Sequence, residues 1–109
     1  MQKLALTENP FPDDITRDLR EASAILQDYG AQKIILYGSL ARGNYRADSD
    51  IDICVEGLPD QHYFRAFAEC LMGARRRISV LDLRNIRGYF RERILDEGKI
   101  LYEREGVSL

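Results

Sequence analysis

Cysteine, histidine and tryptophan are scarce in this chain of 109 residues, which contains two cysteines, one histidine and no tryptophan. The two cysteines, Cys54 and Cys70, form neither a disulfide framework nor a spacing typical of metal ligands. We therefore expect both to be reduced and largely buried, as in a cytosolic protein.

Strong charge of either sign and long apolar runs are absent as well. The net charge of −2 gives no electrostatic basis for binding nucleic acid. The apolar runs are far too short to span a membrane, and the first residues lack a signal-peptide pattern. These absences predict a cytoplasmic protein that binds neither nucleic acid nor membrane directly.

What the chain has is ordinary globular composition, with 45% hydrophobic and 31% charged residues. A chain of this length has room for one hydrophobic core, so we expect residues 1–109 to form a single domain. Residues 1–12 contain Pro10 and Pro12 and are predicted to form an extended lead-in.

Hydrophobic periodicity predicts alternating helices and strands. This order is typical of a small α/β (α+β) domain, with a sheet of about three to four strands flanked by about four helices. On the third helix we expect Phe64, Phe67 and Leu71 to face the core. The predicted helices span about 13–29, 40–42, 60–72 and 86–96, and the predicted strands span about 33–37, 50–55, 77–83 and 100–102.

The most informative feature is a Gly-Ser pair that is followed, after ten intervening residues, by two alternating acids. Gly38-Ser39 ends one apolar run, and Asp50 and Asp52 lie in the next. Side chains alternate faces along a strand, so both carboxylates point the same way and repel each other unless cations lie between them. Such oxygen ligands suit Mg²⁺, and a Gly-Ser turn offers a phosphate N–H donors and a hydroxyl. The combination predicts metal-assisted chemistry on a nucleoside triphosphate.

These residues resemble the signature of the polymerase-beta-type nucleotidyltransferases. The strings Gly-Ser-Leu-Ala-Arg-Gly (38–43) and Ala-Asp-Ser-Asp-Ile-Asp (47–52) resemble the minimal nucleotidyltransferase (MNT) branch, and residues 90–98 look like the family's closing helix. The resemblance implies a mixed β-sheet, ATP as substrate, and phosphate binding by Gly38 and Ser39. It also implies two Mg²⁺ ions held by Asp50 and Asp52, one binding the triphosphate and one lowering the pKa of the attacking hydroxyl.

The resemblance also implies a function and a partner. Many MNT proteins are antitoxins encoded beside a HEPN-domain ribonuclease toxin. We therefore expect a protein adenylyltransferase that moves AMP from ATP to a hydroxyl, a tyrosine, of a HEPN toxin with which it forms a hetero-oligomer. A domain this small leaves little surface for a second small substrate, which favours a protein acceptor.

Two arginines near the Gly-Ser turn are candidate ligands of the triphosphate. Arg42 lies one helical turn past Ser39, and Arg46 lies in the loop before the acids. A guanidinium group matches the geometry of phosphate oxygens, but either arginine is equally consistent with an exposed surface residue.

The third carboxylate of the family is where this sequence departs from the pattern. Ser79 occupies the usual position of that acid, and Asp82 follows three residues later. On a regular strand Asp82 faces the opposite side, whereas a bulge or an early strand end would bring it to the metals. We expect a contribution from Asp82 as a catalytic metal ligand.

Two other functions remain open at this point. A transferase weakened at Ser79 would neutralise the toxin by covering it, without chemistry. A third possibility is one subunit of a small-molecule nucleotidyltransferase similar to the aminoglycoside-modifying enzymes.

Overall fold

The computed structural model describes residues 1–4 and 11–104. Residues 5–10 of the predicted lead-in therefore lie outside the described residues. No helix within the described ranges is long and apolar enough to cross a membrane. The elements in chain order are β1 (Gln2–Lys3), α1 (Asp13–Asp28), β2 (Lys33–Tyr37), α2 (Gly38–Arg42), β3 (Ile51–Glu56), α3 (Tyr63–Gly73), β4 (Ile78–Asp82), α4 (Gly88–Glu97) and β5 (Lys99–Glu103).

The strands form one mixed sheet in the order β1-β5-β2-β3-β4. β2 is antiparallel to both β3 and β5, whereas β3 pairs with β4 and β1 pairs with β5 in parallel. The α/β class, the mixed sheet and the four helices are confirmed. The predicted strand number is wrong, because Gln2–Lys3 of the lead-in pairs with the start of β5 and makes a fifth strand.

The two faces of the sheet bury different sets of side chains. On one face, alternate residues of β2 and β3 pack against α1, which contributes its own apolar stripe. On the other face, a smaller cluster joins the sheet to Ile94 of α4. The first set includes Ile15, Leu19, Leu26, Ile34, Leu36, Ile51, Ile53 and Val55, and the second includes Ile35, Tyr37, Cys54, Leu83, Ile86 and Ile94.

The inward face of α3 differs from the prediction. Phe64 is 85% exposed and Leu71 is 56% exposed, so their predicted core positions are wrong, while Phe67 is partly buried. The residues that α3 buries are Ala66 and Cys70, one turn apart. Small side chains at these positions let α3 lie close to α1, which places the larger apolar residues outward.

Both cysteines are free and buried, as predicted. Burial, with a smaller contribution from the charge of Asp82, raises the pKa of the Cys54 thiol to about 12. Burial raises the pKa of the Cys70 thiol to about 11. Both thiols are therefore protonated and unreactive at neutral pH.

A buried carboxylate fixes the segment that enters β4. Asp18 on α1 is 1% exposed and accepts the backbone N–H of Arg75 at 3.1 Å and of Arg76 at 2.9 Å. Hydrogen bonds to a buried charged acceptor are stronger than neutral ones. The contact therefore attaches the segment before β4 to α1.

Candidate functional site

Three side chains form a row across the middle of the sheet. Tyr37 of β2 is the register partner of Asp52 in β3, and Asp52 is the register partner of Ser79 in β4. Register partners point to the same face, so all three lie on the face that α4 partly covers. The row brings the predicted acid Asp52 beside the position where the family's third acid would stand.

The Gly38-Ser39 turn lies directly against this row. Gly38 has a φ of +76°, and an ideal Cβ placed on it would collide with the carboxylate of Asp52, 3.2 Å from its Cγ. Only a residue without a Cβ allows the turn to approach Asp52 in this conformation. Ser39 follows as the second residue of α2.

The paired acids repel each other, and nearby arginines offset only part of that repulsion. Asp52 is half-buried, and burial, followed by the charge of Asp50, raises the pKa of its carboxyl, while Arg42 opposes the shift. Asp50 lies just before β3 with 47% of its side chain exposed, and its Oδ1 is 3.9 Å from Nε of Arg77. Two partly exposed carboxylates of like charge repel each other, and a divalent cation bound between them would relieve the repulsion. Their hard oxygen donors suit Mg²⁺.

A pocket of about 220 Å³ opens beside Asp52. One wall comes from the sheet and the Gly38 turn, and the opposite wall comes from one face of α4. The structure thus brings Gly38, Arg42 and Asp52 together around one pocket. The lining residues are Tyr37, Gly38, Arg42, Asp52, Phe90, Arg93, Ile94 and Glu97.

The charged residues of the pocket are linked by ion pairs. Nη1 of Arg42 lies 3.3 Å from Oε2 of Glu97, and Nη2 of Arg93 lies 3.4 Å from Oε1 of the same carboxylate. Sequence reasoning missed Arg93 and Glu97. Their spacing of four residues predicts an ion pair on a helix, but nothing in the sequence says that this face of α4 meets α2.

Arg46 is not brought into this pocket. Its side chain is exposed in the loop, and its backbone N–H donates to Oγ of Ser49 at 2.7 Å. Its predicted role with the triphosphate has no support in the geometry.

Tyr37 is a third site residue that the sequence did not single out. Burial, followed by the charges of Asp52 and Cys54, raises its pKa to about 12, and a hydrogen bond with Ser79 acts in the opposite direction. The ring of Phe90 packs edge-on against it with centroids 5.8 Å apart. A neutral phenol on β2 and a neutral hydroxyl on β4 therefore flank Asp52.

Asp82 lies elsewhere, which corrects the expectation that it joins the acids. The register runs unbroken from the pair Ile51–Ile78 to the pair Val55–Asp82, so no bulge turns Asp82 toward Asp52. Its side chain is fully buried and 2.7 Å from Nη2 of Arg84, whose backbone N–H also donates to it at 2.9 Å. Within residues 1–4 and 11–104, no three acidic, histidine or cysteine side chains form a cluster able to hold a metal ion.

A family model described as polymerase beta, nucleotidyltransferase matches residues 20–106. A candidate protein adenylyltransferase of Methanocaldococcus jannaschii, MJ0604, is 36% identical over 78 residues, which are 65% of this chain and 78% of the relative. A second one from the same organism, MJ1379, is 42% identical over 59 residues, which are 53% of this chain and 57% of the relative.

Solved structures share the fold. A chain in the crystal structure of a toxin–antitoxin with AMP-PNP has a TM-score of 0.66 and 23% identity, covering 80% of this chain and 74% of that one. A candidate minimal nucleotidyltransferase has a TM-score of 0.63 and 22% identity, covering 87% and 94%. A chain in the complex of a tri-AMPylated Shewanella oneidensis HEPN toxin with its MNT antitoxin has a TM-score of 0.60 and 21% identity, covering 80% and 71%.

Proposed function

Because this chain belongs to the polymerase-beta nucleotidyltransferase family, we propose that it binds ATP and transfers AMP to a hydroxyl group of a partner protein. The observation that carries the proposal is the close approach of Gly38 to Asp52, which leaves no room for a Cβ. This contact joins a phosphate-binding turn and a carboxylate in one site. The curated relatives described as candidate protein adenylyltransferases support the same activity.

In the proposed reaction the acceptor oxygen attacks the α-phosphorus of ATP. A new phosphodiester bond forms, the bond between the α-phosphorus and the bridging oxygen to the β-phosphate breaks, pyrophosphate leaves, and the hydroxyl proton passes to solvent water. Asp50 and Asp52 would hold Mg²⁺, which when bound neutralises the triphosphate and lowers the pKa of the acceptor hydroxyl. The Gly38-Ser39 turn binds the β- and γ-phosphates through its N–H groups and hydroxyl, and Arg42 faces them from the end of α2.

The proposed acceptor is a tyrosine of a HEPN ribonuclease toxin, and the chain acts as its antitoxin. The support is the shared fold with a chain of a complex that holds a tri-AMPylated HEPN toxin, and with a chain of a toxin–antitoxin that holds AMP-PNP. An AMP group adds negative charge to the toxin, which would exclude RNA from a nearby site by like-charge repulsion.

A second candidate function is neutralisation of the toxin by contact alone. It is favoured by Ser79, which carries no charge beside Asp52, and by Asp82, which is bound to Arg84 on the other face of the strand. A site with two carboxylates would still bind ATP, while transfer would be slow.

Intact-protein mass spectrometry tests transfer directly. The chain is incubated with ATP, Mg²⁺ and the product of its neighbouring gene, and the expected result is a mass increase of one or more AMP groups on that partner. Asp50→Asn and Asp52→Asn should each abolish the adduct. Asp48→Asn is the matched control, because it removes the same charge from an exposed position of the same loop.

Toxin protection in cells separates the two candidates. Loss of protection together with the adduct in Asp50→Asn and Asp52→Asn supports the enzyme. Full protection by both variants, with no adduct in any protein, would leave neutralisation by contact as the function.

A further inference from the structure

α4 forms one wall of the pocket and carries two charged residues, Arg93 and Glu97, that have no role in the proposed reaction. Phe90, Arg93, Ile94 and Glu97 share one face of α4, because they are spaced three, one and three residues apart. Ile94 is 2% exposed and packs in the same cluster as Tyr37, which fixes the rotation of the helix. Arg93 and Glu97 are therefore held toward the Gly38 turn.

The end of α4 is seated tightly on the sheet. An ideal Cβ at Gly98 would lie 2.5 Å from the carbonyl oxygen of Ile94 and 2.6 Å from Cγ2 of Ile35. A residue with a side chain there would push the helix end away from β2. Gly98 thus allows Glu97 to reach Arg42 across the pocket mouth.

One carboxylate, that of Glu97, is shared between both pocket arginines. Glu97 accepts from Arg42 at 3.3 Å and from Arg93 at 3.4 Å, and these pairs lower the pKa of its carboxyl. Its side chain is 34% exposed, and that of Arg93 is 45% exposed, so water screens the pairs and both side chains have room to rotate. A fork of two guanidinium groups around one anion is the arrangement that binds phosphate oxygens.

We propose that Arg93 is a second phosphate-binding arginine of this site, beside Arg42, and that Glu97 is an internal anion, which the triphosphate displaces from both arginines. The inference rests on the proposed binding of ATP. A triphosphate beside Gly38 meets Asp52 and Glu97, both negative, so leaving Glu97 in place would repel it. When the triphosphate replaces the Glu97 carboxylate, the guanidinium groups of Arg42 and Arg93 become available to the phosphate oxygens. The carboxylate that would repel the triphosphate then turns into solvent.

The test is a calorimetric titration of the wild-type chain and its variants with AMP-PNP and Mg²⁺. Arg93→Gln should weaken binding about five- to tenfold, and Arg93→Lys should recover most of the loss because it keeps the charge. Glu97→Gln should tighten binding about threefold or more, since it frees both arginines and removes the repulsion. A merely structural role of Glu97 predicts the opposite sign.

Matched controls lie on exposed surfaces outside the pocket. Glu92→Gln removes a carboxylate from the outer side of α4, and Arg65→Gln removes a guanidinium from α3; each should change affinity less than about twofold. Two results would overturn this inference and leave the proposed function intact, provided that the wild type binds AMP-PNP. One is an unchanged affinity in Arg93→Gln, and the other is weaker binding in Glu97→Gln. Absence of AMP-PNP binding in the wild type overturns both.

Discussion

Ser79 is the register partner of Asp52 across the parallel ladder of β3 and β4, and both side chains lie on the face that carries the Gly38 turn. The position next to the paired acids is therefore filled by a hydroxyl in place of a carboxylate. The phenol of Tyr37, on the other side of Asp52, is also neutral at physiological pH, and burial raises its pKa further above that range, to about 12. The site is consequently one negative charge short of a set of three acids.

Ser79→Asp should increase the rate of AMP transfer if the chain is an enzyme. A carboxylate at this register position would lie beside Asp52 and add an anionic metal ligand, which strengthens the site that activates the hydroxyl. The measurement is the initial rate of adduct formation on the partner at saturating ATP. Ser79→Asn is the steric control, because it adds similar bulk without charge and should not raise the rate. Equal rates in Ser79→Asp and the wild type would show that a third anion is not what limits transfer.

Asp82→Ala should lower stability and leave transfer per folded molecule almost unchanged. Asp82 is fully buried and bound to Arg84 at 2.7 Å, so its loss removes charge-assisted hydrogen bonds worth about 1–3 kcal/mol. Urea unfolding measures the stability, and the adduct assay on the folded protein measures the activity.

Asp60→Ala is the matched control for this variant. Asp60 binds the same guanidinium at 2.7 Å, but its side chain is 85% exposed, and surface pairs contribute little. A transfer rate that falls by orders of magnitude in Asp82→Ala, in protein that is still folded, would place Asp82 in the site after all.

Local spacing was sufficient to predict the central part of the site. The strand before Gly38, the turn itself and the alternation of Asp50 and Asp52 all depend on residues close in sequence, where the period of a strand fixes direction. The same period places Asp82 on the face of β4 opposite to that of Ser79. The expectation that Asp82 reaches the acids required a bulge or an early strand end, and the register runs unbroken to Asp82 itself.

Features that depend on how helices and strands pack against one another were not predictable from local spacing. The exposed Phe64 and Leu71 follow from the close packing of Ala66 and Cys70 on α1, which periodicity alone does not indicate. The ion pair between Glu97 and Arg42 depends on α4 crossing the end of α2, a contact between residues 55 positions apart. Such contacts are set by tertiary packing.

Gly38→Ala should abolish detectable binding of AMP-PNP, since the added Cβ would collide with the Asp52 carboxylate and the residue has a left-handed φ of +76°. Gly43→Ala is the control for the backbone strain, because Gly43 has a φ of +84° and nothing lies within 4 Å of an added Cβ. The control should lose some stability and keep its affinity. Equal losses of affinity in both variants would mean that strain, and not the contact with Asp52, is responsible.

Ser39→Ala should weaken binding of AMP-PNP by about 1–3 kcal/mol, the value of a hydrogen bond from a hydroxyl to a charged oxygen. Ser49→Ala removes a hydroxyl whose oxygen accepts the N–H of Arg46 in the nearby loop, so it controls for general loosening of this region. Calorimetric titration in Mg²⁺ gives both affinities. An unchanged affinity in Ser39→Ala would assign phosphate binding to the backbone of the turn alone.

Asp52→Asn should raise the melting temperature of the metal-free protein by a few degrees at neutral pH. Burial and the charge of Asp50 raise the pKa of Asp52 in the folded state, so the folded chain holds this proton more tightly than the unfolded chain. The stabilising effect of that proton is complete below the unfolded value of about 3.9 and is lost as the pH rises through the folded pKa. Asparagine never ionises, and the advantage of the variant should therefore shrink as the pH falls toward the unfolded value. Melting curves in a chelator across this pH range measure the difference, with Asp48→Asn as the control for loss of an exposed charge.

Added Mg²⁺ should then stabilise the wild type and not Asp52→Asn; a similar gain in both would mean that Asp52 does not hold the metal.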